Sequence, residues 1–386
     1  MTKTGTMNKK YDIILVGSGL HNAVFARLAT NIGLKCLVVE KRHHIGGNCY
    51  DERVDGINVH MYGPHIFHTN YDDVWRFLNM YTTFNNYVNQ PIAKYNDEIY
   101  NLPFNMNTFH QIWNWVTTPE HAKMMIENTK CKLNHEPQNL EEQALSLVGE
   151  TIYTKLIKGY TEKQWGKDCK DLPPDIIKRL PLRFTYNNNY FNDRYQGIPD
   201  KGYKDLFDKL FEGCDIMLET DFFECKDELM NMCNTLVYSG EIDRFFDYVH
   251  GKLEYRSLKF EHHKINFQNY QGNAVVNYMD KLMPYTRIVE HKHFDVWNEE
   301  VQNLNHTIIT RECSIKYDGG TDTEPYYPIS NQRNQEMYEK YKEMGESLSD
   351  VIFGGRLAEY KYYDMDKVVK SAMIHFDEYM KKKDNI

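Results

Sequence analysis

The first forty residues alternate short apolar runs with a glycine-rich turn. Residues 11–16 (YDIILV) form an apolar run of strand length, and Gly17-Ser18-Gly19 follows it directly. The next segment has the length and composition of a helix, and a second apolar run ends at Glu40. This order of strand, turn, helix and strand predicts a βαβ unit.

Later changes in the pattern divide the rest of the chain. Apolar residues at helical spacing predict helices in most of 108–171, although residues 159–171 lack clear periodicity and are predicted as a loop. Strand-like runs occur within 86–102, 184–192 and 253–328. Residues 214–240 are predicted as α/β and end in a buried strand. A further strand at 351–353 meets glycines and is predicted to open a helix, and 336–348 and 365–379 are predicted helices.

The glycine turn is typical of dinucleotide binding. Gly17 permits the tight turn, Gly19 lets the backbone approach a pyrophosphate, and the following helix start attracts the anion. Glu40 lies where a carboxylate can accept hydrogen bonds from a ribose. Asn22 replaces the usual third glycine, which puts the local helix–strand packing in question. The alternative is a βαβ unit with an ordinary tight turn.

The residues after Glu40 favour FAD as the dinucleotide. Lys41 and the segment 46–48 (GGN) follow closely, and the two glycines permit a second close approach of the backbone. Near the other end, Arg356 follows Gly354-Gly355 and can hold an anion or a flavin carbonyl. A surface salt bridge is the alternative role for this arginine.

Because both ends of the chain contribute to one cofactor site, the predicted domain is discontinuous. The fold class is α/β, with a discontinuous FAD-binding Rossmann-like domain, an inserted helical domain and an antiparallel β-sheet domain. We predict the FAD-binding domain at 8–85, 200–245 and 330–386. The helical domain, with a mobile substrate loop, is predicted at 103–175, and the sheet domain at 86–102, 176–199 and 246–329.

Composition narrows the functional classes. The chain has 386 residues, 41% of them hydrophobic, and no apolar run approaches the length of a membrane span. The net charge of −9 argues against general nucleic-acid binding. The eight cysteines form no C-x-x-C pair, and the first ten residues lack the apolar core of a secretory signal. We therefore expect a cytoplasmic protein. We expect no metal site at the histidines, which are His60, His65, His68, His291 and His293.

Several longer motifs identify a family. They are GPHIFHT at 63–69, LPFNMN at 102–107, GYTEKQWG at 159–166, DRYQGIP at 193–199, PYTR at 284–287 and RLAEYKYYD at 356–364. Together they resemble the UDP-galactopyranose mutase family, in its shorter bacterial form, over about residues 11–375. Asn22 is the one departure inside a motif.

The resemblance implies an isomerase that interconverts UDP-galactopyranose and UDP-galactofuranose without net redox change. In this family, N5 of reduced FAD attacks the anomeric carbon and displaces UDP, and a flavin–sugar iminium allows the ring to contract. The resemblance also implies NAD(P)H or another reductant, and a homodimer. No nucleic acid, membrane or metal partner is expected.

The resemblance further assigns roles to individual residues. The catalytic set is Arg179 and Arg287, which clamp the diphosphate, and His68, near the isoalloxazine. The substrate-binding set is Asn89, Tyr160, Thr161, Trp165, Tyr190, Asn277, Tyr327 and Tyr362. The cofactor-binding set is Gly17, Ser18, Gly19, Leu20, Glu40, Lys41, Gly46, Gly47, Asn48, His65, Arg356, Tyr362, Asp364 and Met365.

Without the motifs, the two arginines would be surface ion pairs and the tyrosines core residues. Two other classes share the cofactor fold: an ordinary flavin oxidoreductase, such as an amine oxidase relative, and a non-catalytic protein of the Rab GDP-dissociation inhibitor type. A flavin spectrum distinguishes the binding protein from the enzymes, and product analysis distinguishes the mutase from the oxidase.

Overall fold

The computed structural model describes residues 9–177, 182–319 and 323–384, and Arg179 lies outside them. The strands are β1 Tyr11–Val16, β2 Cys36–Val39, β3 Asp51–Val54, β4 Ile57–His60, β5 Phe67–Thr69, β6 Ile92–Tyr95, β7 Glu98–Asn101, β8 Tyr195–Gly197, β9 Asp215–Met217, β10 Cys233–Tyr238, β11 Tyr255–Ile265, β12 Val275–Tyr278, β13 Arg287–Glu290, β14 Thr307–Lys316, β15 Tyr327–Pro328 and β16 Val351–Phe353. The helices are α1 Leu20–Asn31, α2 Asp72–Asn79, α3 Met106–Ile112, α4 Pro119–Thr129, α5 Leu140–Tyr153, α6 Gly159–Trp165, α7 Gly202–Leu210, α8 Lys226–Met232, α9 Ile242–Phe245, α10 Glu299–Gln302, α11 Gln332–Glu346 and α12 Met365–Asp384.

A five-stranded parallel sheet positions the predicted cofactor site. Its order is β16-β10-β1-β2-β9, so β1 lies in the middle. Alternate residues of β1 enter different cores: Ile13 and Leu15 pack with α1 and α12, whereas Ile14 and Val16 pack on the opposite face. Burial on both faces explains why these strands are almost continuously apolar. The predicted α/β class and the Rossmann-like unit are confirmed.

A seven-stranded sheet forms the second layer, in the order β15-β11-β14-β13-β12-β6-β7. Its pairs are antiparallel except for β12 and β6, which run parallel. The long pair β11–β14 forms the centre of this sheet. Its paired residues run from Arg256 opposite Lys316 to Ile265 opposite Thr307. The exact domain boundaries stay a prediction.

The predicted loop at residues 159–171 is wrong in its first half. A π-helical turn, Thr154–Lys158, continues α5 into the helix α6. Gly159 lies so close to the sheet that an added Cβ would collide with the backbone oxygen of Met279. Tertiary contact with the sheet therefore stabilises α6, and a local periodicity does not reveal it.

Two other local predictions are also wrong. Residues 184–192 contain no strand. Their backbone makes isolated hydrogen bonds to loops in place of a strand ladder, for example from Tyr190 N–H to Asn89 O at 2.8 Å. Arg356 does not open a helix: residues 356–360 form turns, with Gly355 at φ +88° and Tyr360 at φ +46°. Left-handed backbone at both positions is incompatible with a helix. In the described part of the chain, no helix is long and apolar enough to cross a membrane.

Candidate active site

The first cavity lies at the carboxyl ends of β1, β2 and β10, where parallel sheets bind nucleotides. Two glycine segments form its floor. Gly17 has φ +89°, and an added Cβ would fall 2.5 Å from Ser239 Oγ. Gly47 has φ +55°, and its Cβ would fall 3.0 Å from the Cα of Gly19. Side chains at these positions would collide with neighbouring segments of the chain, so glycine lets the two turns pack together beneath the cavity.

Glu40 is held rigidly at the edge of this cavity. Its Oε2 accepts hydrogen bonds from Ser18 N–H at 2.9 Å and from Ser18 Oγ at 2.6 Å. Its Oε1 accepts one from Arg42 N–H at 3.0 Å. Carboxylate oxygens keep lone pairs beyond these bonds, so Glu40 can still accept from a ribose hydroxyl.

Asn22, which replaces the usual third glycine, is accommodated between α1 and the sheet by hydrogen bonds. Its side-chain amide donates to Val16 O and Gly17 O, both at 2.8 Å, and to Ser239 Oγ at 3.2 Å. Asn22 is fully buried and its polar group is satisfied. The amide therefore ties α1 to the ends of β1 and β10, and replaces close packing by hydrogen bonding.

Arg356 lies at the far wall of the same cavity. Its Nη2 donates to Tyr363 O at 3.0 Å, and its buried Nε has no hydrogen-bond partner among the described residues. Glu359 accepts from Gly355 N–H at 3.0 Å and from the hydroxyl of Tyr363. A buried guanidinium N–H without an acceptor indicates a place for a ligand oxygen or nitrogen.

These features fit a dinucleotide with a flavin ring. The predicted cofactor residues that line the cavity are Gly17, Ser18, Gly19, Leu20, Glu40, Lys41, Gly46, Gly47, Asn48, His65, Arg356 and Met365. Asp364 does not line it and instead pairs with Lys367 Nζ at 3.1 Å. Among the described residues, no three His, Cys, Asp or Glu side chains meet as a metal-binding group.

The two histidines of the GPHIFHT segment have different surroundings. His65 lines the cofactor cavity, and its Nδ1 lies 2.8 Å from Gly63 O. Because only Nδ1–H can donate to that carbonyl, Nε2 is left as an acceptor. Burial, followed by the effect of His60, lowers the pKa of His65 to about 3, so the ring is neutral. His68 lines neither cavity: its ring stacks on Phe191 at 3.7 Å, and its Nδ1 lies 2.6 Å from Asp193 Oδ2.

A second, larger cavity of about 1010 Å³ opens between the helical region and the seven-stranded sheet. Seven of the predicted substrate residues line it: Tyr160, Thr161, Trp165, Tyr190, Asn277, Tyr327 and Tyr362. The Oδ1 of Asn277 is buried at this wall without a hydrogen-bond partner in the described chain. Asn89 lies outside the wall, and its backbone oxygen supports Tyr190. The cavity therefore has aromatic faces and unused polar groups for a ligand.

Arg287 begins β13 and lines neither cavity, but its charge acts on residues of both. Its charge influences the pKa of both His65, in the first cavity, and Tyr160, in the second. Nε and Nη2 both donate to Glu312 Oε2, at 2.8 and 2.7 Å. Burial opposes the charge of Arg287, but Glu312 outweighs burial and raises the pKa of the guanidinium. The structure records no partner for Nη1 in the described segments, so that edge remains available for an anion.

Arg356 provides the second link between the cavities. Its guanidinium carbon lies 5.4 Å from the ring centre of Tyr362 and 5.9 Å from that of Tyr327, within cation–π range. Both tyrosines line the second cavity, whereas Arg356 lines the first. Ligands in the two cavities would therefore approach each other beside Arg356.

Sequence reasoning missed the residues that fasten α6 to the sheet. Lys163 Nζ donates to Tyr278 O at 2.6 Å and to Tyr285 O at 2.9 Å, and burial lowers its pKa to about 8. Arg256 Nε and Ser314 Oγ both donate to Gln164 O, at 3.0 and 2.6 Å. These bonds join segments about ninety or more positions apart, and no local pattern indicates them. Glu312 was missed for the same reason.

Two sequence profiles of known families match this chain. A profile of the UDP-galactopyranose mutase family matches residues 155–362, and one of NAD(P)-binding Rossmann-like domains matches residues 15–81. The probable UDP-galactopyranose mutase of Klebsiella pneumoniae is 38% identical over 377 residues, 97% of this chain and 96% of that one. The chain belongs to the UDP-galactopyranose mutase family. The dTDP-fucopyranose mutase of Escherichia coli is 39% identical over 374 residues, 95% of this chain and 97% of that one.

The fold agrees with this membership. A crystal structure of reduced UDP-galactopyranose mutase superposes with a TM-score of 0.71 at 13% identity, covering 96% of this chain and 95% of that chain. As a member of the UDP-galactopyranose mutase family, the chain is an isomerase, and FAD is its cofactor. The predicted enzyme class and cofactor are thus confirmed. The roles of the individual site residues remain predictions.

Proposed function

We propose that this enzyme interconverts UDP-galactopyranose and UDP-galactofuranose while its FAD is reduced. The observation that carries the proposal is that Arg356, in the wall of one cavity, lies within cation–π distance of Tyr327 and Tyr362, in the wall of the other. One cavity has the glycine floor and ribose acceptor of a dinucleotide site, and the other has aromatic walls of nucleotide-sugar size. A sugar joined to a diphosphate between the two cavities would place its anomeric carbon beside the flavin.

The chemistry that reduced FAD supplies when bound is a nucleophilic N5 for the anomeric carbon, with UDP as leaving group and no net redox change. The protein must then stabilise a departing diphosphate and keep it for the return step. Arg287 suits this task because Glu312 fixes one edge of its guanidinium, and Nη1 has no recorded partner among the described residues. By resemblance, Arg179 completes the clamp, although it lies outside the described residues.

The walls of the larger cavity suit the rest of the substrate. Tyr160 offers a ring face for the uracil, and the hydroxyls of Tyr190, Tyr327 and Tyr362 can donate to phosphate oxygens. Tyr190 and Tyr362 are 44% and 65% exposed, so these large apolar rings stand open to a ligand. Thr161, Trp165 and Asn277 complete the wall.

We assign the flavin-facing role to His65 in place of His68. Its neutral ring presents Nε2 as an acceptor toward the cofactor cavity. An acceptor beside N5 would hold the N–H of the reduced flavin and orient its lone pair. His68 instead braces the strand β5 against Asp193 and Phe191. We retain NAD(P)H or another reductant, a homodimer and a cytoplasmic location as further proposals.

A second candidate substrate is dTDP-fucopyranose, because the Escherichia coli relative is named for it and covers nearly the whole chain. Both candidates are pyrimidine diphosphate sugars that undergo the same ring contraction. To distinguish them, the dithionite-reduced enzyme is incubated separately with UDP-galactofuranose and dTDP-fucofuranose, and the products are separated chromatographically. We expect faster conversion of the UDP-sugar. Faster conversion of the dTDP-sugar would show that dTDP-fucopyranose is the better substrate. Conversion of neither sugar would refute both candidates.

A further inference from the structure

Two cysteines lie side by side at the edge of the cofactor-binding sheet. Cys36 is the first residue of β2, and Cys214 directly precedes β9. The strands pair in parallel, with Leu37 opposite Asp215, so the two cysteines occupy the preceding rung. Neighbouring strands lie about 4.8 Å apart, within the range of Cα separations that a disulfide bridges. The Sγ of Cys36 donates to the backbone oxygen of Leu34 at 3.8 Å, which holds this thiol at the sheet edge.

Their environments differ in the way that a reactive pair requires. Cys36 is fully buried, whereas Cys214 is only partly buried. The neighbouring Cys214, and then burial, raise the pKa of the Cys36 thiol. The neighbouring Cys36, together with the charge of Arg27, lowers the pKa of the Cys214 thiol. Arg27 also has a buried Nε without a hydrogen-bond partner among the described residues.

We propose that Cys214 and Cys36 form a redox-sensitive dithiol, with Cys214 as the attacking thiol and Cys36 as the resolving thiol. The oxidant is a low-molecular-weight disulfide. The Cys214 thiolate attacks one of its sulfurs, forming a mixed disulfide and releasing one small thiolate. Cys36 then gives its proton to the released small thiolate and attacks Cys214 Sγ, which forms the protein disulfide and releases the second small thiolate, protonated by water. Two protein thiols are oxidised, and the small disulfide is reduced to two thiols.

The position of the pair connects it to the cofactor. Beyond β9, the chain continues into the cavity wall, where Thr220, Asp221 and Phe222 lie. That wall is joined to the first strands by Glu40 N–H to Met217 O and Thr220 N–H to Glu40 O, at 2.8 and 3.0 Å. A disulfide at the opposite end of β9 would restrain the whole edge strand. We therefore expect the oxidised enzyme to release FAD several-fold more slowly.

The test treats FAD-loaded enzyme with oxidised glutathione, alkylates the remaining thiols and maps the cysteine peptides by mass spectrometry. We expect a Cys36–Cys214 linked peptide that dithiothreitol removes. In Cys36→Ser the mixed disulfide should accumulate at Cys214, whereas Cys214→Ser should leave Cys36 unmodified. The control is Cys131→Ser, since Cys131 is exposed and lies between α4 and α5; this variant should form the link normally.

Some outcomes would overturn the proposal. If the wild-type enzyme carries glutathione at exposed Cys131 while Cys36 and Cys214 remain free to alkylate, the pair is not a reactive dithiol. If Cys36→Ser no longer traps glutathione at Cys214, the assignment of the attacking thiol is wrong. The rate of FAD release is measured from flavin fluorescence before and after oxidation. An unchanged rate with the link fully formed would refute the connection to the cofactor.

Discussion

Replacing Arg287 by alanine should reduce both the stability of the enzyme and its turnover, and the structure shows how to separate the two effects. Arg287 donates twice to Glu312, whose side chain is only 5% exposed, against 23% for Arg287. Removal of the arginine leaves a buried carboxylate without its counter-charge. The same change removes a positive charge that acts on Tyr160, in the wall of the larger cavity.

The two effects have separate magnitudes. Breaking a buried ion pair by removing one partner costs about 3–5 kcal/mol of unfolding free energy. Loss of a donor that stabilises developing negative charge costs roughly 3 kcal/mol, or about 100-fold or more in turnover. In Arg287→Ala/Glu312→Gln the buried charge is gone, so we expect about 2 kcal/mol of stability to return. Turnover should not return.

The assay combines denaturant unfolding with turnover of UDP-galactofuranose by the reduced enzyme at equal flavin content. Arg333→Ala serves as the control, because Arg333 is 70% exposed and pairs at 3.6 Å with Glu254. It should change stability by less than about 1 kcal/mol and leave turnover intact. Near wild-type turnover in the double variant would show that Arg287 has no role in the reaction. Wild-type stability in Arg287→Ala would contradict the buried pair.

Three further predictions concern the cofactor edge and α6. Glu40→Gln should weaken FAD binding about 10-fold, since an amide cannot accept from both Ser18 and Arg42; flavin absorbance after dialysis measures this, and full retention would contradict it. Lys163→Met should raise KM about 10-fold with a smaller effect on kcat, because α6 loses two hydrogen bonds that fasten it to the sheet. The control variant Lys170→Met, at an exposed lysine, should match the wild type. With the other four tryptophans changed to phenylalanine, saturating UDP should reduce quenching of Trp165 by iodide; unchanged quenching would place Trp165 outside the nucleotide site.

The cofactor edge could be predicted from sequence because its constraints are local. Gly17 and Glu40 each follow an apolar strand, and backbone geometry alone specifies what their positions require. The role of Asn22 could not be predicted in the same way. It depends on Ser239, which reaches the site only when β10 pairs with β1.

The substrate side depends on contacts between distant segments. Glu312 meets Arg287 because β13 and β14 pair in one register, with these two residues opposite each other. Gly159 and Lys163 hold α6 against the sheet, so a segment without clear periodicity is helical. Nothing in the local pattern indicates such contacts, which is why the motifs named residues that line the larger cavity but not the residues that support them.

The central claim is that the flavin and the nucleotide-sugar meet where Arg356 approaches Tyr327 and Tyr362, and that the reduced flavin acts there as a nucleophile. The most direct measurement compares one preparation of the FAD-loaded enzyme in its dithionite-reduced and air-oxidised states, with UDP-galactofuranose as substrate. We predict conversion to UDP-galactopyranose by the reduced enzyme and almost none by the oxidised enzyme. Equal turnover in the two states, at equal flavin content, would contradict the account.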